Sequence, residues 1–467
     1  MARLSPVHLN HPAVHPAHPA MNETPSLPRV TRRHFLQTTS AALTAPLVVP
    51  AGVLGADGRT APSERIGLGI IGVNGMGQAN LQNCAVHQDV VVRGVCDVSR
   101  QRREAVVARF KDTATGYNDF RELLARPDID AVIIATPPHW HALMGIRAVE
   151  AGKDIYLQKP MTLHPAETLA LRNAVRKHGR MSQIGTQIHA GANYRRVVEW
   201  IRSGKLGPIS VARTFNFMNQ GRDGIGRAPA EDVPTGLDWD LWCGPGPSRP
   251  YNALLFKSAT EHCSFWDYSG GWTPGMAPHI VDLPVWALNL GAPLVTACSG
   301  GRYVIRDDGD APDVQEVVWQ YPGFSMTWMM SCCNSFAFDF GRGTPARRLG
   351  IYFHGLNGTL FTNYSTHEVV PEGDFLKDNT PPPESIPPSP GHEREWLDSV
   401  KSRQQPSCCV DYHWKVDIAL TLANLAHRLR RSVRFDPATD RIVDDPEAAR
   451  LARPVYRSPW KFPDEYL

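Results

Sequence analysis

The hydrophobic positions in the first half of the chain fall in short continuous runs that are separated by helical patterns. Continuous apolar runs of this length are typical of parallel strands that helices cover on both faces. The predicted strands are Arg65–Ile71, Val90–Cys96, Ala131–Ala135 and Lys153–Leu157. Helices are predicted through Leu81 and Cys84, over Tyr117–Leu124, and through Ala148, Val149 and Glu150. This alternation predicts a doubly wound parallel sheet.

The second half of the chain shows a different pattern, in which strands follow one another directly. Strands are predicted at Val314–Tyr321, Ser325–Met330 and Leu349–His354. Helices are predicted at Asn193–Ser203, Glu393–Val400 and Trp414–Leu429. Consecutive strands joined by short turns indicate an antiparallel sheet. We therefore expect an α/β protein with a mostly antiparallel sheet in its C-terminal part.

The first predicted strand runs into a glycine-rich turn and then into a helix. In a dinucleotide-binding unit, such glycines let the backbone approach a pyrophosphate, and an acid at the end of the second strand binds ribose hydroxyls. Gly72 and Gly77 fit the turn, and Asp97 ends the second strand. Asn74 stands where a glycine is usual, with Gly75 after it, and asparagine tolerates a positive φ. The alternative is a plain tight turn in an unrelated parallel sheet.

The next two predicted strands end in polar segments. Thr136 and Pro137 follow the third strand and lead to His141, while Gln158 and Lys159 follow the fourth. The carboxyl ends of strands in a doubly wound sheet face the ligand crevice, so chemistry is expected there. The alternative for Lys159 is that it is an ordinary surface lysine. His141 is expected near a cofactor, or else packs against the start of the following helix.

Composition narrows the function classes. The chain has 467 residues, of which 42% are hydrophobic and 20% charged, as in a soluble globular protein with a sizeable core. Lysine and arginine number 49 against 46 acidic residues, without long runs of one sign, so a nucleic-acid partner is not expected. The nine cysteines form no CxxC pair and are expected to be mostly small buried hydrophobes. No metal site is expected.

Residues 1–61 have the character of a transport segment. Arg32 and Arg33 precede a weakly apolar stretch that ends in small residues, which resembles a bacterial twin-arginine export signal. The apolar stretch is short and broken by proline, so a cleaved signal is expected rather than a stable membrane anchor. We therefore expect a periplasmic or otherwise exported protein that uses the twin-arginine translocase. The alternative is a chance arginine pair in a disordered tail.

The chain resembles the glucose-fructose oxidoreductase and inositol dehydrogenase (Gfo/Idh/MocA) superfamily. The resemblance rests on Ile71–Gly77, Cys96-Asp97, Thr136–Ala142, Ala151–Pro160, Gly185–Gln187 and Gly270–Leu288. It implies an NAD(P)-binding Rossmann domain over residues 62–184 and a C-terminal substrate and oligomerisation domain over 185–467. It also implies a homo-oligomer, either a dimer or a tetramer.

The resemblance further implies the site residues. Lys159 would hold and polarise the substrate oxygen near the nicotinamide, and His279 would act as general acid or base, unless it is a satisfied core histidine. The family usually has glutamate at the position of Gln158 and an acid at the position of Gly275. Asp267, Asp282 and Glu261 are candidate replacements for that acid. The residues expected to contact the cofactor are Gly72, Asn74, Gly75, Met76, Gly77, Asp97, Thr136, Pro137, His141, Gln158, Lys159 and Gln187.

The expected function is that of a nicotinamide-dependent oxidoreductase acting on a sugar, polyol or related carbohydrate. The alternatives are a redox-neutral NAD-dependent glycoside hydrolase or lyase, and a non-catalytic sugar or cofactor binder. NAD is the expected cofactor because Asp97 would repel a 2′-phosphate, with NADP as the alternative because Ser99 and Arg100 lie close behind. Four aromatic residues are expected either to stack on the sugar or to belong to the core. These residues are Tyr251, Phe265, Trp266 and Tyr268.

Overall fold

The structure is a computed structural model that describes residues 61, 64–338 and 348–467. The predicted export signal with Arg32 and Arg33 lies outside the described residues. The chain from Arg59 to Leu467 forms one compact unit, which contains two sheets. In the part of the chain that the structure describes, no helix has the length and apolar character needed to cross a membrane.

The first sheet has six parallel strands in the order β3-β2-β1-β4-β5-β6. Its strands are β1 (Ile66–Ile71), β2 (Val90–Cys96), β3 (Thr115–Tyr117), β4 (Ala131–Ile134), β5 (Asp154–Leu157) and β6 (Ser182–Ile184). Its helices are α1 (Met76–Ala85), α2 (Arg100–Val107), α3 (Phe120–Leu124), α4 (His141–Glu150) and α5 (Pro165–His178). The order reverses between β1 and β4, which is where doubly wound sheets bind ligands.

The predicted Rossmann sheet is confirmed, with one local error. The residues of β1, β4 and β5 are all buried, as their continuous apolar runs require. The helix predicted over Tyr117–Leu124 is shorter, because β3 occupies residues 115–117 and the helix begins at Phe120. This edge strand has two exposed residues and no apolar run, so periodicity carried no sign of it.

The second sheet has nine strands in the order β13-β12-β11-β7-β10-β9-β8-β14-β15. They are β7 (Ile209–Phe217), β8 (Val295–Gly301), β9 (Val314–Tyr321), β10 (Phe324–Ser331), β11 (Leu349–Gly355), β12 (Gly358–Thr362), β13 (His367–Pro371), β14 (Val433–Asp436) and β15 (Arg441–Ile442). All neighbouring pairs are antiparallel except β7 and β10, which are parallel. The expected mostly antiparallel sheet is therefore confirmed.

Helices cover one face of this sheet and also return to the first sheet. They are α6 (Ala192–Arg202), α7 (Trp239–Cys243), α8 (Ala253–Lys257), α9 (Ala259–His262), α10 (Trp266–Ser269), α11 (Trp272–Met276), α12 (Pro278–Leu288), α13 (His392–Ser402), α14 (Val410–Leu429) and α15 (Pro446–Leu451). Alternate residues of β9 are buried, and Trp319 on that face donates to the Ala419 carbonyl of α14 at 2.8 Å. Trp396 and Leu397 of α13 lie in the core of the first sheet. The C-terminal segment thus joins both sheets.

The segment Gly270–Leu288, which resembles the family's catalytic helix, is divided in the structure. Gly270 and Gly271 have φ values of 71° and 89° and separate α10 from α11. Pro278 then begins α12, where the N–H that proline lacks would have no partner within the helix, and a second proline, Pro284, lies inside the helix. The division places residue 275 and His279 on different helices.

Candidate active site

A cleft lies at the carboxyl ends of β1, β2, β4 and β5, beneath residues 241–263 of the second half of the chain. Most of the residues that were expected to contact a cofactor line it. They are Gly72, Asn74, Gly75, Met76, Asp97, Thr136, Pro137, Gln158 and Lys159. Lys159 lies at one end of this lining together with Gly275, and Asp97 lies at the other with Arg102 and Asn118.

The glycine turn has no space for side chains at two positions. A Cβ atom on Gly77 would lie 2.1 Å from the Gly72 carbonyl oxygen, and one on Gly72 would lie 2.6 Å from that of Ala135. The positive φ of 46° belongs to Gly75 and not to Asn74, so the sequence interpretation of Asn74 was wrong on this point. Gly75 supplies the positive φ, which glycine adopts without a steric penalty, and the turn does not depend on the tolerance of asparagine for it.

The cleft side of this turn suits a pyrophosphate. Helix α1 begins at Met76 without a side-chain cap. The Gly77 N–H donates to the Asn74 carbonyl at 2.9 Å, and the other N–H groups of the first turn and the positive end of the helix dipole are available to an anion. Gly77, which is absent from the lining, allows the helix to approach β1 closely. The backbone therefore forms a cradle of the kind that a dinucleotide requires.

Asp97 is fixed at the far end of this cradle. Its two carboxylate oxygens accept hydrogen bonds from the backbone N–H groups of Val73 at 3.0 Å and Ser99 at 2.8 Å. Each oxygen keeps a further lone pair for a ribose hydroxyl. Burial raises the pKa of Asp97, while the two backbone N–H groups oppose that shift. Arg102 lies nearby and stacks on the Phe256 ring at 3.8 Å.

At the other end, Lys159 Nζ donates to the Gly275 carbonyl oxygen at 2.8 Å. Burial lowers the pKa of Lys159. A Cβ atom on Gly275 would lie 3.3 Å from Cys263 Sγ, so the sulfur occupies part of the space that an acidic side chain would need. The Lys159 ammonium is therefore bonded to the backbone carbonyl of the position where the family usually has an acid.

His279 stands close to Lys159, although it does not line the cleft itself. Its Nδ1 donates to the Thr186 carbonyl oxygen at 3.0 Å, since a carbonyl can only accept, and Nε2 is left as an acceptor. Burial and the Lys159 charge lower the pKa of His279 to about 3. The imidazole is therefore neutral at ordinary pH and can accept a proton at Nε2.

None of the candidate replacements for the missing acid contacts Lys159 within the described residues. Glu261 bonds to Ser258 and pairs with Lys257, and Asp267 pairs with Arg249 at 2.8 Å. Asp282 is fully buried beneath Thr186, where its carboxylate accepts from the Thr186 hydroxyl at 3.3 Å. Asp282 is thus linked to His279 through Thr186, whose hydroxyl bonds to Asp282 and whose carbonyl bonds to His279.

Gln158 belongs to a chain of amide hydrogen bonds. Its Nε2 donates to Asn80 Oδ1 at 2.6 Å, and Asn80 Nδ2 donates to Glu393 Oε1 at 2.8 Å. A glutamate at position 158 would have no proton to donate to Asn80 Oδ1. The carboxylate of Glu393 on α13 explains why an amide suits position 158, and sequence could not show it because the two positions are 235 residues apart.

His141 and Gln187 lie behind the lining. The ring nitrogens of His141 face the carbonyl oxygens of Pro160 at 2.6 Å and Thr136 at 2.8 Å, so this histidine joins two loops of the lining from within. Burial lowers its pKa. Gln187 has a φ of 64° and contacts the Tyr156 hydroxyl.

The aromatic segment belongs mainly to the core. Tyr251, Phe265 and Tyr268 are buried with Trp239 and Trp242 in one cluster, so the core alternative holds for these three. Trp266 instead lines a second cleft, with Asp267 and Arg428. Residues of the cofactor cleft that the sequence did not indicate include Phe256 and His262, which lie in short helices without a recognisable pattern, and Cys263, which follows the second of these helices.

The covering segment is attached to the first sheet. The Gly236 carbonyl accepts from Arg100 N at 2.8 Å, and the Asp238 carboxylate accepts from Asn118 Nδ2 at 2.9 Å. Further along, Arg102 Nη2 donates to the Phe256 carbonyl at 3.0 Å. These contacts hold the segment over the Asp97 end of the cleft.

Two family models match the chain. The model described as "Oxidoreductase family, NAD-binding Rossmann fold" matches residues 66–186, and "Oxidoreductase family, C-terminal alpha/beta domain" matches residues 194–292 and 341–462. Together they cover well over half of the sequence, and both are Gfo/Idh/MocA models.

Curated relatives match the chain over part of their length. An inositol 2-dehydrogenase from Salmonella typhimurium is 31% identical over 152 residues, which are 32% of this chain and 45% of the relative. An alpha-N-acetylgalactosaminidase from Shewanella oneidensis is 30% identical over 210 residues, which are 38% of this chain and 44% of the relative. The chain therefore spans less than half the length of these relatives.

The fold is shared with solved structures. The WlbA dehydrogenase from Bordetella pertussis, in complex with NADH and UDP-GlcNAcA, has a TM-score of 0.59 and 15% sequence identity. The match covers 80% of this chain and 98% of that one. At this identity the similarity shows the fold alone.

Proposed function

The chain belongs to the Gfo/Idh/MocA oxidoreductase family, and we propose that it is an NAD-dependent oxidoreductase acting on a sugar, polyol or related carbohydrate. The observation that carries the proposal is the placement of Lys159 in the same cleft as the glycine turn and Asp97. A dinucleotide that lies along this cleft with its ribose at Asp97 has its other end at Lys159.

In this proposal the turn of Gly72, Gly75 and Gly77 holds the pyrophosphate and Asp97 holds the adenosine ribose. When bound, NAD would supply a nicotinamide ring that can take a hydride from the substrate or return it. Lys159 donates a hydrogen bond to the reacting oxygen of the substrate, for which its ammonium must leave the Gly275 carbonyl. The neutral His279 takes the hydroxyl proton at Nε2, and the Thr186 carbonyl holds its ring in the required orientation.

A redox-neutral glycoside hydrolase or lyase is the second candidate. The covering segment supports it, because a cofactor enclosed by residues 236–263 would exchange slowly and would be regenerated in place. The relative named alpha-N-acetylgalactosaminidase also supports it. In this version bound NAD would oxidise a sugar carbon, the glycosidic bond would be eliminated with the alcohol as leaving group, water would add to the resulting double bond in the hydrolase, and the hydride would return to the sugar.

A panel of polyols, sugars and aryl glycosides separates the candidates. Purified protein is first examined by native mass spectrometry for retained NAD and is then assayed with each compound. Net formation of reduced nicotinamide supports the oxidoreductase, and glycoside cleavage without net reduction supports the redox-neutral enzyme. Binding of a sugar without turnover of any compound would contradict both and favour a non-catalytic binder.

We also propose export through the twin-arginine pathway and preference for NAD over NADP. Changing Arg32 and Arg33 together to lysine should leave the precursor in the cytoplasm. Tighter binding of NADP than NAD would overturn the role of Asp97.

A homo-oligomer formed through the second sheet is part of the same proposal, since alternate residues of β9 such as Val318 are exposed on its uncovered face.

A further inference from the structure

Side chains of the types that bind metal ions form a buried cluster at α12 and the start of α14. Asp282 of α12, Cys408 before α14 and His413 of α14 have no exposed surface, and His189 is 3% exposed. The potential ligand atoms of His189, Asp282 and Cys408 all lie within 4.8 Å of one another. Carboxylate, thiolate and imidazole are the groups that bind zinc in proteins.

Three atoms of this group are spaced as ligands around one ion. Cys408 Sγ lies 3.9 Å from Asp282 Oδ2 and 3.8 Å from His413 Nδ1, and that nitrogen lies 4.0 Å from Asp282 Oδ2. A point equidistant from all three is about 2.3 Å from each, which is close to the 2.0–2.3 Å of zinc bonds. An imidazole and a carboxylate separated by 4.0 Å are too far apart for a hydrogen bond.

His413 lacks the partner that a buried imidazole needs. Its Nε2 is buried without a hydrogen-bond partner, and its Nδ1 has only the Cys408 sulfur at 3.8 Å. Buried polar groups are nearly always paired. An ion between Nδ1, the sulfur and the carboxylate would give Nδ1 a strong partner in place of the distant sulfur, and the ring proton would then stay on Nε2.

The charges of the cluster also favour a cation. The only ion-pair partners of Asp282 within the described residues are His189 and His413, so no arginine or lysine balances this buried carboxylate. One divalent ion with one thiolate and one carboxylate is neutral overall. Binding would release the Cys408 thiol proton to solvent, as metal binding to cysteine does.

The remaining polar groups complete the surroundings. The Thr186 hydroxyl lies next to two of the three proposed ligands, because its Oγ1 is 3.2 Å from Cys408 Sγ and 3.3 Å from Asp282 Oδ2. His189 and the Tyr412 hydroxyl bond to the other carboxylate oxygen of Asp282 and orient it. Outer contacts of this kind fix metal ligands in place.

We propose that Asp282, Cys408 and His413 bind a structural zinc-class ion, contrary to the sequence expectation of no metal site. Sulfur and nitrogen ligands favour zinc over magnesium or calcium. The ion would tie α12 to the start of α14 and would hold Thr186, whose carbonyl positions His279. It would not touch the substrate.

Metal analysis tests the site without any assay of activity. Full-length protein purified without chelators should contain about one zinc-class ion per chain by inductively coupled plasma mass spectrometry. Protein produced with cobalt should show a thiolate-to-Co²⁺ charge-transfer band. Folded protein that holds no metal above background under either condition would overturn the proposal.

Two cysteine variants locate the ligand. Cys408→Ser should lose the thiolate band and most of the bound metal, whereas Cys409→Ser, which changes the buried neighbour outside the cluster, should keep both. Retention of metal and band in Cys408→Ser would refute the assignment. If Cys408→Ser does not fold, the thiolate band of the cobalt-loaded parent protein decides, because its absence would contradict a sulfur ligand.

Discussion

The glycine turn of the cleft is formed by the backbone of one short segment, whereas the Lys159 end is assembled from groups that lie far apart in the chain. The turn of Gly72, Gly75 and Gly77 is local, and Asp97 is held by the nearby N–H groups of Val73 and Ser99. Lys159 instead contacts a carbonyl 116 residues away.

This difference determines how each end responds to substitution. At the glycine turn the limiting factor is space, so an added atom disrupts the backbone. At the reaction end the limiting factor is the chemical identity of each group, and Lys159 bonds there to a backbone carbonyl, which does not depend on the side chain at position 275. Variants at the two ends should therefore separate binding from turnover.

The largest effect is expected at Lys159. Lys159→Met should lower turnover by about 100- to 10,000-fold, because it removes the donor aimed at the reacting oxygen, while the NAD dissociation constant changes little. Turnover and NAD binding are measured on the same preparation. Lys111→Met, at an exposed position, is the control and should match the parent. Full turnover by Lys159→Met would remove the lysine from the mechanism.

His279→Ala should lower turnover by about 100-fold through loss of the proton acceptor. Because burial and Lys159 lower the pKa of His279 to about 3, its neutral form persists until the pH falls towards that value. The rate profile of the parent between about pH 5 and 8 should therefore have no limb near 6.5, the usual histidine value. A limb there that disappears in His279→Ala would contradict this assignment.

At the glycine turn, Gly77→Ala should weaken NAD binding by about 100-fold, because overpacking of this severity costs about 1–3 kcal/mol. The new Cβ atom would lie 2.1 Å from the Gly72 carbonyl oxygen. Isothermal titration calorimetry with NAD provides the measurement. Gly291→Ala, where a Cβ atom meets nothing within 4 Å, is the matched control. Equal affinities for the two variants would place NAD elsewhere.

The same contrast explains what sequence could predict. The apolar runs and the spacing of Gly77 and Asp97 are local, so the first sheet and the glycine turn followed from them. The carbonyl that bonds Lys159 and the carboxylate of Glu393 that accounts for Gln158 come from distant segments. Periodicity carries no information on such pairs. The short helices that bring His262 and Cys263 to the cleft also show no hydrophobic periodicity.

The smallest effect is expected at Gly275. Gly275→Asp should lower turnover by about tenfold. A carboxylate beside Lys159 would draw the ammonium away from the substrate and would raise the pKa of the lysine. The side chain would also press on Cys263 Sγ at 3.3 Å. Parallel measurement of Gly275→Ala isolates the steric part. Increased turnover in Gly275→Asp would show that the glycine limits this enzyme.

The nicotinamide of bound NAD is proposed to react at the Lys159 end of the cleft. Protein loaded with one equivalent of NAD is mixed with an accepted substrate, and the absorbance of reduced nicotinamide is followed through a single turnover. Both candidate functions predict that the absorbance of reduced nicotinamide appears in the parent and does not appear in Lys159→Met. In the parent it persists if the protein is the oxidoreductase and decays again if it is the redox-neutral enzyme. Product formed at the same rate by the parent and by Lys159→Met, without reduced nicotinamide at any time, would contradict the account.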